Sequence, residues 1–187
     1  MLEGNYYTPG YSPCKALLKE RPSLYTRCAR VDFSFTLFSA AFYNPPMPKT
    51  IATAESCTGG LLGVLLTDKP GASKYYRGSV VAYHDRIKKT LLGVPASTLR
   101  NYGAVSAQTA EKMAQGVRKK FRADIGVSIT GIAGPDGETK EKPVGLVYIA
   151  LSDKTGTRSK RFLFSGGRAR VRSQAARKAL AWLKLTA

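Results

Sequence analysis

From residue 50 onward the chain alternates short apolar runs with stretches of helical spacing. That alternation is the strongest constraint on its fold, because strand-like runs separated by amphipathic helices pack as a layered α/β sheet. Strand-like runs lie at Thr50 to Ala54, Gly78 to Tyr83, Ile125 to Ile129, Gly145 to Leu151 and Lys160 to Phe164. Helical spacing covers Thr58 to Thr67, Asp85 to Leu92, a stretch ending near Phe121, and Arg168 to Leu185. Ser106 reads as the N-cap of the third helix, since its hydroxyl can accept an early backbone N–H. Asp153-Lys154-Thr155-Gly156 reads as a hairpin turn, so the sheet is expected to be mixed.

Residues 1–47 break this pattern. Prolines at 9, 13, 22, 45 and 46 interrupt any long element, and only Val31 to Leu37 alternates like a strand. We read 1–47 as an irregular extension and 48–187 as the domain; Met47 is an alternative start. No apolar run reaches the ~18 residues of a membrane span. The net charge is +18, and from Lys154 onward there are ten Lys and Arg and no acid. Such a field attracts nucleotides, phosphates and, without specificity, nucleic acid, although a solvated basic surface explains it equally. Three cysteines, one histidine and no CxxC pair argue against a metal site. Cys14 and Cys28 could pair in an oxidising compartment. The odd count and the lack of a signal peptide favour reduced thiols and a cytoplasmic location.

Three polar clusters follow three of the strand-like runs. The first is Glu55-Ser56-Cys57-Thr58-Gly59-Gly60. At a strand-to-helix junction, free N–H groups stabilise negative charge and glycines let a substrate approach the backbone. Ser56 there is a candidate nucleophile; Ser56 and Thr58 serve equally as N-caps. The second is Tyr83-His84-Asp85-Arg86-Ile87-Lys88, where a buried Lys88 could act as a base for a serine and an exposed one would be an ordinary surface lysine. The third is Thr130-Gly131-Ile132-Ala133-Gly134-Pro135-Asp136-Gly137, a glycine-rich loop without the Gly-Lys-Ser/Thr of a phosphate loop. Before the last helix, Ser165-Gly166-Gly167-Arg168 offers an arginine fork to a phosphate. In open α/β sheets, ligand sites gather at strand carboxyl ends.

Taken in order, Thr53 to Gly60, Leu92-Gly93-Val94, Gly103-Ala104-Val105-Ser106, Thr130 to Gly137 and Lys142-Pro143-Val144-Gly145 resemble the CinA C-terminal domain family, over about residues 50–185. The resemblance implies a three-layer α/β/α sandwich around a mixed, mostly parallel sheet. It implies hydrolysis of the carboxamide of nicotinamide mononucleotide to nicotinate mononucleotide and ammonia, without metal or cofactor. Carried over by position, Ser56 would be the nucleophile, Lys88 its base and Tyr83 a supporting group. Thr58, Gly59, Gly60, Thr130, Gly131 and Gly134 would line the substrate pocket, and Arg168 would meet the phosphate. A homo-oligomer of two or more copies is also expected.

Overall fold

The computed structural model describes residues 49–185; the 1–47 extension, its Val31 to Leu37 alternation, Cys14 and Cys28 lie outside them. The described elements are β1 (Ile51–Glu55), α1 (Leu61–Thr67), a 3₁₀ turn (Ala72–Lys74), β2 (Tyr76–Val81), α2 (Asp85–Leu92), α3 (Ala96–Tyr102), α4 (Ala107–Phe121), β3 (Ile125–Gly131), β4 (Leu146–Asp153), β5 (Gly156–Leu163) and α5 (Arg168–Lys184). No helix among the described residues is long and apolar enough to cross a membrane.

The five strands form one sheet in the order β2-β1-β3-β4-β5. β1 runs parallel to β2 and β3, while β4 is antiparallel to both β3 and β5. Four strands therefore share one direction and β4 alone opposes them, giving the expected mixed, mostly parallel sheet. α4 lies on one face with α2 and α3 against it; α1 and α5 pack together on the other. The result is the three-layer sandwich.

Position in the sheet explains strand composition. β1 is central and covered on both faces, so all five of its residues are buried and its apolar run does not alternate. β5 is an edge strand and largely polar. Small residues let α4 settle close: a Cβ on Gly126 would stand 2.2 Å from the Ala114 carbonyl oxygen, so only glycine fits there. Ala52, Ala54, Val80, Met113 and Val117 fill the layer beneath α4. On the opposite face α5 buries Val171, Ala175, Ala179, Trp182 and Leu183.

Several boundaries differ from the sequence expectation. β2 begins at Tyr76 and ends at Val81, so Tyr83 lies beyond the strand rather than at its end. Gly78 marks a bulge where the register with β1 shifts, and not the strand start. β4 and β5 extend to meet at the Asp153–Gly156 hairpin, where the Asp153 carboxylate accepts from the Thr155 N–H at 2.8 Å. α1 starts at Leu61, three residues later than Thr58, because Gly59 and Gly60 take left-handed φ of 62° and 99° and keep the chain in a turn. Ser106 caps α4 as expected, accepting from the Thr109 N–H at 3.2 Å.

Candidate active site

Two backbone bonds place Ser56 at the carboxyl ends of three parallel strands. The Ala82 N–H donates to the Glu55 carbonyl at 2.7 Å, and the Ser56 N–H donates to the Ile129 carbonyl at 3.0 Å. The residues after β1, β2 and β3 thus converge at one sheet edge, bringing the three polar clusters together.

Neither Ser56 nor Thr58 caps α1. That task falls to Glu55, which is fully buried and accepts from the N–H groups of Gly60 and Leu62 at 3.0 Å each and Gly63 at 2.8 Å. The expectation of free N–H groups at this helix start is therefore corrected: an internal carboxylate occupies them. Three N–H donors satisfy its buried carboxyl oxygens. Ser56 is nearly buried, at 8% exposure, and its hydroxyl makes no hydrogen bond among the described residues. Thr58 is fully buried and its hydroxyl also lacks a partner.

Glu55→Gln is expected to cost about 2–3 kcal/mol, because the amide turns a donor toward N–H groups that need an acceptor. A lowered denaturant midpoint checks this; an unchanged midpoint would remove Glu55 as the lock on the 56–60 turn.

Lys88 is buried, at 2% exposure, on α2. Its Nζ donates to the Tyr83 carbonyl at 3.3 Å and to Asp85 Oδ1 at 3.1 Å. Since Tyr83 directly follows Ala82, the Lys88 amine and the Ser56 loop attach to neighbouring residues across β1 and β2. The Tyr83 ring is exposed, and its hydroxyl accepts from Arg168 Nη2 at 2.8 Å. Arg168 Nη1 donates to the Gly134 carbonyl at 2.6 Å, so one guanidinium ties the second cluster to the third. The Thr130 hydroxyl donates to the Ala104 carbonyl at 2.8 Å and holds the loop before α4. Gly131 ends β3 against β4, where a Cβ would stand 2.6 Å from the Leu146 carbonyl oxygen.

Arg172 was not legible as a site residue, yet its Nη2 donates to the Thr58 carbonyl at 3.0 Å. It also stands 3.1 Å from where a Gly59 side chain would begin, so glycine makes room for it. The available signal was its i, i+4 spacing from Arg168, which puts both on one helix face.

Cys57 is not a competing nucleophile. Burial pushes its thiol up to about 12; Glu55 adds to the shift, while Arg172 and Arg168 oppose it more weakly. Only the thiolate attacks. With the pKa raised, the stability this group contributes is fully present below the ordinary thiol value and is lost as pH rises toward about 12. In a Cys14→Ser/Cys28→Ser background, a disulfide reagent at pH 8 should label native Cys57 about 10³-fold more slowly than free cysteine. Labelling at the free rate would contradict its burial.

Known proteins share this fold. The CinA C-terminal domain model matches residues 47–187. A putative competence-damage inducible protein of Acetivibrio thermocellus is 55% identical over 124 residues, covering 66% of this chain and 30% of that protein. A CinA-like protein of Cytophaga hutchinsonii is 64% identical over 107 residues, 57% of this chain and 26% of its own length. The chain thus spans less than a third of these two curated relatives. Among solved structures, the competence/damage inducible protein CihA from Agrobacterium tumefaciens superposes with a TM-score of 0.72 at 41% identity, covering 75% of this chain and 86% of that one. An Escherichia coli CinA-superfamily protein gives 0.72 at 34% identity, over 75% and 81% of the two chains. On this evidence the chain belongs to the CinA C-terminal domain family.

Proposed function

We propose that the chain hydrolyses the carboxamide of nicotinamide mononucleotide, with Ser56 as nucleophile and Lys88 as base. The observation that carries this reading is Ser56 itself: a nearly buried serine after β1, with an unbonded hydroxyl, relieved of capping by Glu55. A serine held for structure alone would spend its hydroxyl on the backbone.

In the reaction, Ser56 Oγ attacks the amide carbon and its proton passes to Lys88 Nζ. The tetrahedral intermediate collapses, the C–N bond breaks, and Lys88 returns the proton to the leaving nitrogen as ammonia departs. Water, deprotonated by Lys88, then attacks the ester carbon; the acid is released and Ser56 regains its proton. The developing oxyanion needs N–H donors. Within the turn, the amides of Ser56, Gly59 and Gly60 are engaged. That leaves the amides of Cys57 and Thr58 as candidate donors. The unpartnered Thr58 hydroxyl supports a pocket role, since a buried polar atom without a partner is costly unless a ligand satisfies it.

Arg168 and Arg172 give the site a cationic wall. Arg168 uses two of its five donors on Gly134 and Tyr83, leaving others for the substrate phosphate. A Lys88 base requires the Asp85 contact to open when substrate binds. Ammonia release from nicotinamide mononucleotide by the purified chain tests the reading. No release above the Ser56→Ala background would overturn it.

A chain beginning at Met47 is expected to melt cooperatively and keep this activity, because the CinA C-terminal domain model matches residues 47–187. An insoluble or inactive truncation would show that 1–47 completes the fold.

A further inference from the structure

A second cationic feature lies at the sheet end opposite Ser56. The last turn of α4 carries Arg118, Lys119 and Lys120, and its C-cap is Arg122. Together with Gln115, Ala123 and Ser152, the residues Arg118, Lys119 and Arg122 line an open cleft of about 530 Å³. Two of these lining side chains are joined through Thr157: Gln115 Nε2 donates to Thr157 Oγ1 at 3.1 Å, and that hydroxyl donates to Ser152 Oγ at 3.0 Å. The cleft therefore runs between α4 and the β4–β5 hairpin, whose tip presents exposed Lys154.

Basic residues in a last helical turn ordinarily complement the helix dipole. That accounts for part of this cluster only, since the dipole end amounts to roughly half an elementary charge. The neighbouring acids are already engaged. The Asp124 carboxylate accepts from the Thr50 N–H and hydroxyl at 2.8 and 2.7 Å, and Asp153 is taken by Thr155 and Arg158. Arg118 Nε donates to the Asp124 carbonyl at 3.1 Å and its charge, after the Thr50 hydrogen bonds, helps to lower the Asp124 pKa, whereas Lys119 and Arg122 form no ion pair among the described residues. Arg122 also holds a left-handed backbone, with φ of 49°, at a position where glycine is the favoured residue. The fold thus keeps a charged side chain where a smaller, less strained residue would stabilise it more.

We propose that this cleft is a nucleic-acid backbone site, in which Arg118, Lys119 and Arg122 meet successive phosphates. A duplex fits better than a small anion, because the cleft is open and exposed Lys154 at the neighbouring hairpin tip adds to its positive charge. The site recognises charge and not sequence: its uncharged polar side chains, Gln115 and Ser152, are bonded to Thr157 and offer little to base edges. It is independent of the amidase reading, as it shares no residue with the Ser56 edge.

The experiment measures binding of a fluorescently labelled duplex of about 20 base pairs to the full chain by anisotropy, across a salt series. The key variant is Lys119→Gln/Arg122→Gly. Glycine relieves the left-handed position, so this protein should melt no lower than the parent. Affinity should nevertheless fall at least tenfold, and the slope of log K against log salt should drop by roughly 2, as expected for two lost phosphate contacts. Ser56→Ala should bind like the parent. The charge-matched control Arg100→Gln/Lys140→Gln removes two cations elsewhere and should change affinity less than threefold. Equal loss in the control would mean a diffuse field and no site. Unchanged binding in the key variant would overturn the proposal, and so would full competition by inorganic pyrophosphate at the duplex's own concentration, which would assign the cleft to a small anion.

Discussion

Ser56→Ala is expected to lower the rate of ammonia release from nicotinamide mononucleotide by at least about 10⁴-fold, with no loss of stability. The size of the effect follows from the site. A hydroxyl nucleophile attacks directly, and its removal leaves only binding and oxyanion stabilisation. The nearest alternatives cannot replace it. Cys57 is held as a thiol by burial, and Thr58 lies two residues on in a turn fixed by Glu55. The Ser56 hydroxyl makes no hydrogen bond among the described residues, and Glu55 rather than Ser56 caps α1. The melting temperature should therefore stay within a degree or two of the parent. A variant that keeps most of its turnover would leave Ser56 without a chemical role; one that unfolds would give it a structural role. Burst kinetics supply a second check, since a serine ester predicts one equivalent of ammonia ahead of steady-state release when deacylation is slow.

What could be read from sequence was whatever rested on local periodicity and near-neighbour capping. α4 showed its apolar stripe and its Ser106 cap, and the β4–β5 hairpin showed its turn residues. α3 was missed because seven residues with one buried side chain, Thr98, carry no helical period. The start of β2 was obscured by Gly78, which resembles a strand boundary yet sits inside the strand as a bulge. At the candidate site, the clusters holding Ser56, Lys88 and Arg168 were visible in sequence, and the fold brings them to one sheet edge. Glu55 was not, because it caps α1 from the preceding strand, across the turn made by Gly59 and Gly60. No short-range capping pattern spans that distance. The same limit hid Arg172, whose partner Thr58 lies 114 residues away.

Lys88 carries the second large effect. Lys88→Met and Lys88→Arg should each reduce turnover by about 10³-fold or more, while the adjacent Lys89→Met stays near the parent. The two neighbours differ by environment: Lys88 is 2% exposed and Lys89 faces solvent. Methionine replaces the buried stem of Lys88 at similar volume, and the Asp85 it abandons is half exposed and can be hydrated. Stability should therefore change little, which separates chemistry from folding. Arginine keeps the positive charge and can still reach Asp85, yet it cannot give up a proton. An arginine variant that hydrolyses substrate normally would mean that Lys88 acts only as a fixed cation. Asp85→Asn distinguishes the remaining alternative. If the Lys88–Asp85 ion pair, at 3.1 Å, were itself the working unit, this variant would fail as Lys88→Met does. If the free amine is the working group, loss of the carboxylate removes its competitor and turnover persists. Persistence in Asp85→Asn together with loss in Lys88→Arg is the outcome that a lysine base requires.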